Sequence, residues 1–272
     1  MARRRIKKRD LPLIALIPDL QNKPGVPLNH VEWIGKYLAE KQPTHIVNIG
    51  DHFDFPSLSG YDRGKIEFEG RRYAEDLEAG ELANRLLLGR ALNLPNFPVT
   101  HFTLGNHEDR RNRFVQDHAE LDGFMAEDDL NLEAWYDYVH PFLVPVTIKG
   151  VTFAHYFYNP KTGKPWGGMI DTIIKNVGFS FVQGHQQGLK WGQLERGNGR
   201  IDYGLIAGSA YLHHEQYKGP QANDHWRGIV LLYNVQDGMY DPSFVQLDSL
   251  ARRYEGMPVR QFLRKTDKHI GV

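Results

Sequence analysis

The chain has 272 residues, with 33 Lys plus Arg balancing 33 Asp plus Glu, 41% hydrophobic and 24% charged residues. That balance excludes a disordered, collagen-like or coiled-coil chain, and the zero net charge excludes a general basic coat for nucleic acid. No cysteine is present, which excludes disulfide scaffolds, Cys-ligated zinc or iron–sulfur sites and a thiol nucleophile, and leaves 13 histidines as the soft ligands.

Residues 1–10 carry six Lys or Arg against Asp10 alone and read as a solvated basic tail or a phosphate-binding arm. The apolar run that follows, Leu11 to Pro18, is strand-sized and far short of the ~20 residues of a membrane span, and with two prolines and no small-residue cleavage site it is no signal peptide. A cytoplasmic protein with no membrane partner is expected.

Short apolar runs ending in polar turns then recur: 13–19, 45–51, 99–107, 151–155, 179–185 and 201–209. Each predicts a buried strand whose C-terminal end delivers polar residues to one edge of a sheet. Helical spacing predicts helices over Leu28 to Lys41, within Glu67 to Leu94, and over Gly168 to Asn176. Two hairpins are expected to pivot on Lys149-Gly150 and Asp237-Gly238, with antiparallel strands dominating the second half. The acidic, aromatic segment 119–140 suits a surface insertion or cap. The sum is an α/β fold, a two-sheet β-sandwich flanked by helices, forming a single domain over 11–272.

Five polar clusters end the strands: Asp19-Leu20-Gln21, Gly50-Asp51-His52-Phe53-Asp54, Gly105-Asn106-His107-Glu108, His155, and Gly184-His185-Gln186-Gln187. Singly, each is ordinary turn or cap chemistry. Gathered at one sheet edge, they supply carboxylates, carboxamides and imidazoles for two adjacent metal ions.

In that order the clusters resemble the calcineurin-like metallophosphoesterase superfamily, whose pattern is DxH, GDxxD, GNH[ED], a strand-terminal His and GHxH, over residues 13 to 210. The resemblance implies the αββα sandwich and hydrolysis of a phosphoester by a metal-activated hydroxide. It implies Asp51 as the bridge between two metals, one completed by Asn106, His155 and His185, the other by Asp19, Gln21 and Gln187. His107 would lie beside the metals and protonate the leaving oxygen, with Asp54 orienting its imidazole. Gln21 and Gln187 stand where the family has His, so the first site offers oxygen donors only. Mn²⁺ or Mg²⁺ suit that site, and Zn²⁺, Fe or Ni²⁺ suit the histidine site. The paired change reads as an oxygen-only site that still works or as decay to a single-metal or silent binding protein.

After GNHE come Arg110, Arg111 and Arg113, whose forks fit phosphate oxygens, and Arg110 and Arg111 are taken as substrate-binding candidates. The Arg-rich helix resembles metallophosphatases of bacteriophage and prokaryotic type, which for a phage-encoded chain would place it in the host cytoplasm. GDHFDFPS lacks the Arg-Gly of Ser/Thr protein phosphatases. The expected substrate is a phosphodiester in nucleic acid or a nucleotide, with phosphomonoester hydrolysis as the alternative. Oligomeric state is not readable from the sequence.

Overall fold

The computed structural model describes residues 11–60, 64–94, 96–214 and 224–266; the basic run at 1–10 lies outside them. The first sheet has six strands in the order β11-β10-β1-β2-β3-β4, where β1 is Ile14–Ile17, β2 His45–Asn48, β3 Val99–Thr103, β4 Tyr138–His140, β10 Gly228–Gln236 and β11 Met239–Gln246. The second has five in the order β5-β6-β7-β9-β8, from Val146–Ile148 (β5), Val151–Phe153 (β6), Phe181–Gln183 (β7), Leu189–Glu195 (β8) and Ile201–Ala207 (β9).

The period-2 alternation of a strand divides the core between the two faces of β1. Ile14 and Leu16 point between the sheets, where they meet Val47, Phe153, Val182, Leu205 and Leu232. Ala15 and Ile17 point outward to α1 (Asn29–Lys41) and α2 (Tyr73–Leu88), and α5 (Leu247–Glu255) and α6 (Val259–Lys265) pack in the same cluster. On the far side, Ile173 and Ile174 of α4 (Ile170–Val177) cover Phe181 and Ile206 of the second sheet. With helices on both outer faces, a central strand such as β1 is buried throughout and reads as the continuous apolar run IALI.

The expected sandwich is therefore the observed fold class. Both hairpins form as read: Lys149 and Gly150 have φ of 52° and 85°, Asp237 and Gly238 of 51° and 84°. Two successive positive φ values make the tight turn whose twist matches the flanking strands.

Antiparallel pairing dominates the second half as expected, with β6, β7 and β9 the parallel exception, and β10 and β11 return to the first sheet. One expectation needs correcting. Segment 119–140 is not only a surface insertion. Leu130, Leu132 and Tyr136 are buried in the core, and β4 continues the sheet in parallel beside β3. The segment's acidic residues hid these few anchors. The Tyr136 hydroxyl accepts from Asn48 Nδ2 (3.1 Å) and donates to Asn84 Oδ1 (3.0 Å), tying the segment to β2 and α2.

Candidate metal centre

The loops that leave β1, β2, β3, β6 and β7 converge at one end of the sandwich. Among their residues, Gln21 (φ 42°), Asp51 (49°), Phe55 (50°), His185 (64°) and Gln187 (58°) hold a left-handed backbone despite carrying side chains. For residues with a side chain this costs on the order of 1–3 kcal/mol each and persists where surrounding contacts over-determine it. Here the contacts are visible. Gln21 N–H donates to Asp51 O and Asn22 N–H to His52 O, both at 2.8 Å, joining the first two loops.

Glu108, quoted within GNHE but given no task by the sequence, is the buried hub of these loops. Its Oε2 accepts from Asp51 N (2.9 Å) and Gly105 N (2.7 Å), and its Oε1 from Phe53 N (2.9 Å). The Asp or Glu at the end of GNH[ED] was the available signal. Gly184 serves in another way: a Cβ there would stand 2.5 Å from Asp19 Oδ1, which accepts from His185 N–H at 3.0 Å.

One donor set closes tightly. Donor atoms of Asp51, His155 and His185 all lie within 4.8 Å of one another. Asn106 Oδ1 joins them, 2.9 Å from His155 Nε2 and 2.7 Å from His185 Nδ1. His155 Nδ1 donates to Ile49 O at 2.7 Å, which aims Nε2 into the cluster and fixes the ring as metal-ligating histidines usually are.

On the other side of Asp51, Asp19 is fully buried and its Oδ2 has no hydrogen-bond partner. Gln21 is 1% exposed, and its Oε1 is likewise without one. Buried oxygens left this way cost on the order of 1–3 kcal/mol each unless something occupies them, and a hard cation is such an occupant. Gln187 is buried, and its Oε1 accepts from the Tyr211 hydroxyl at 2.9 Å. Tyr211 was not anticipated, and no local motif marks it.

The electrostatics have the same sense. Burial, then the charge of Asp51, pushes Asp19 up to about 7. Burial would raise Asp51 too, but the charges of His107 and His155 hold it well below the usual carboxylate range. His155 would be lowered by burial, yet Asp51 and then Asp19 bring it up to about 9.

His107 stands beside this cluster. Its Nδ1 faces Asp54, with Oδ1 and the backbone O each at 2.9 Å, and its Nε2 lies 3.8 Å from Asp51 Oδ2. Despite burial, Asp51 and Asp54 raise its pKa. Asp54 is also paired with Lys23 Nζ at 2.9 Å, another residue that sequence reasoning missed.

The two arginines part company. Arg110 reaches the site: it donates to Asp54 O at 2.7 Å and lies 3.1 Å from His107 Nε2. Arg111 does not present itself as a substrate ligand. It is 3% exposed and donates to Asn112 Oδ1 (2.8 Å) and Met125 O (3.5 Å), bracing the following segment. On α3 (Arg110–Asp117) neighbouring residues face different ways, which is why adjacent arginines diverge.

The sequence matches no family model and no curated protein. Among solved structures the chain is similar to Yfce, a phosphoesterase from E. coli, at 12% identity and TM-score 0.38, over 86% of this chain and 99% of that one. It is also similar to a dimetal phosphatase from Danio rerio at 10% identity and TM-score 0.40, over 87% of this chain and 96% of that one.

Proposed function

We propose that the protein is a metal-dependent phosphoester hydrolase acting on phosphodiesters. The observation that carries this reading is the donor cluster of Asp51, Asn106, His155 and His185, with orphaned oxygens of Asp19 and Gln21 on the far side of Asp51. Asp51 would be shared between two ions, Asn106, His155 and His185 holding one, and Asp19, Gln21 and Gln187 the other. Two divalent ions so held would acidify a water and neutralise charge on the phosphoryl group.

The chain's own residues do the rest. His107 delivers the proton at Nε2 to the leaving oxygen, and Asp54 at Nδ1 keeps the ring oriented and favours its charged form. Arg110, beside the same nitrogen, moves from His107 to a phosphate oxygen when substrate enters. Lys23 balances the Asp54 charge once Arg110 has left. Mn²⁺ or Mg²⁺ suit the oxygen-donor half, and Zn²⁺, Fe or Ni²⁺ suit the histidine half.

The test is turnover of bis-p-nitrophenyl phosphate and p-nitrophenyl phosphate with each of these ions, on wild type and Asp51→Asn. Hydrolysis of the diester that needs added metal and is lost in Asp51→Asn supports the reading. A faster monoester shifts it to a phosphatase, and no turnover of either ester with any ion refutes it.

A further inference from the structure

Beyond His155 the chain leaves the second sheet for a short excursion before α4. Asn159 N–H donates to Lys164 O at 2.9 Å, and the N–H groups of Thr162 and Gly163 return to Asn159 O at 3.1 and 2.8 Å. Tyr158 and Pro165 face each other in an antiparallel bridge. The base is pinned to the loop that carries His185, because Gln186 Nε2 donates to Trp166 O.

Side chains alternate along this excursion, as they do in a strand. Phe157 turns to the protein, packing at 5.6 and 5.4 Å on the rings of Phe179 and Phe181. Tyr156 turns the other way, its half-buried ring 4.6 Å from that of His185. Tyr158 is 41% exposed. Lys161 and Lys164 are exposed at the tip, and residues 156–166 contain no Asp or Glu. Arg113 adds a cation from α3, where it donates to Asn106 O and is paired with Asp109 at 3.2 Å.

The geometry points to residues 156–166 as a binding arm for a single-stranded polynucleotide, which would lie across the metal centre with its phosphates on Lys161, Lys164 and Arg113 and a base stacked on Tyr158. This inference rests on the hydrolase reading of the adjacent centre and gives it a substrate class. Cations interleaved with exposed aromatic faces fit a ligand that has both charge and open π-faces. A duplex keeps its base faces stacked, and an acidic peptide has charge but no bases to stack. Because the whole chain has zero net charge, such binding must be local, and this arm is a local basic and aromatic element at the site's rim.

The test is fluorescence anisotropy of the full chain with a labelled single-stranded oligonucleotide of about ten nucleotides, first without added metal so that binding is read apart from turnover. Tyr158→Ala is expected to weaken binding about tenfold, the scale of one stacked base. Lys161→Glu with Lys164→Glu is expected to lessen the slope of log K against log salt by about 1.4, two contacts at about 0.7 each. In both variants the ratio of oligonucleotide to small-diester kcat/KM is expected to fall. Wild type that fails to bind the strand, variants that bind as wild type does, or polyglutamate that competes as well as unlabelled DNA at equal charge would each overturn the arm. Binding that depends on these residues in a chain that hydrolyses no ester upholds the arm and refutes the hydrolase reading. Hydrolysis without such binding does the reverse.

Discussion

His155 shows how the centre is built at the scale of one residue. Nδ1 faces Ile49 O, and Nε2 faces Asn106 Oδ1 and, at 3.3 Å, Asp51 Oδ1. A ring with oxygens at both nitrogens is a double donor, so without metal it is an imidazolium. Its pKa, raised from 6.5 to about 9, means that the folded state binds this proton more tightly than the unfolded one. The resulting stability is fully present below 6.5 and is lost as pH rises through about 9. Asp19, raised from 3.8 to about 7, has the same sign, its contribution fading between those values. In the proposed centre, metal binding at pH 7 would therefore expel protons. Calorimetric titration with Mn²⁺ in two buffers of different ionisation enthalpy is expected to show release of about one to two protons. Buffer-independent heats would mean that His155 and Asp19 are not ligands.

The proposed mechanism gives His107 a different task from its neighbours, and its substitution should show it. Since it faces Asp54 rather than closing the donor cluster, His107→Ala is expected to cut turnover by roughly 10²-fold or more while bound metal stays at the wild-type ratio. Elemental analysis alongside the kinetics checks this; loss of metal with the activity would place His107 among the ligands.

At the scale of elements, the strands were legible because burial on both faces writes them as apolar runs, and their polar ends announced the site. Asp19, Asp51, Asn106, His155 and His185 were all read from such ends. What the sequence hid depends on contacts far apart in the chain. Tyr211 meets Gln187 across 24 residues, and Glu108 binds the Asp51 loop across 57. Arg111 looked equivalent to Arg110 because spacing says nothing of which way each residue of a helix start turns. Helix packing carries a similar hidden term. Gly35 lets α1 approach α2 so closely that a Cβ would stand 2.3 Å from Leu86 O, a backbone atom with little freedom to move. Gly35→Ala is expected to destabilise by about 1–3 kcal/mol through overpacking, measured by urea unfolding. An unchanged midpoint would show that the two helices can part without cost.

At the scale of the whole molecule, the sandwich brings loops from both sheets to one end, and the two halves of the proposed centre would have different donors. Asn106, His155 and His185 would give one half two imidazoles, whereas Asp19, Gln21 and Gln187 would give the other oxygen donors alone. Both halves are proposed to take metal, and to do so unequally. Calorimetric titration of metal-free protein with Mn²⁺, with diesterase activity read at each point, tests this directly. Two equivalents are expected, the tighter filling first with little activity, and turnover rising with the second. In Gln21→His with Gln187→His, the weaker step should tighten and its preference move toward Zn²⁺. Full activity at one equivalent, unaffected by the double substitution, would leave a centre that works with a single ion and overturn the two-metal reading.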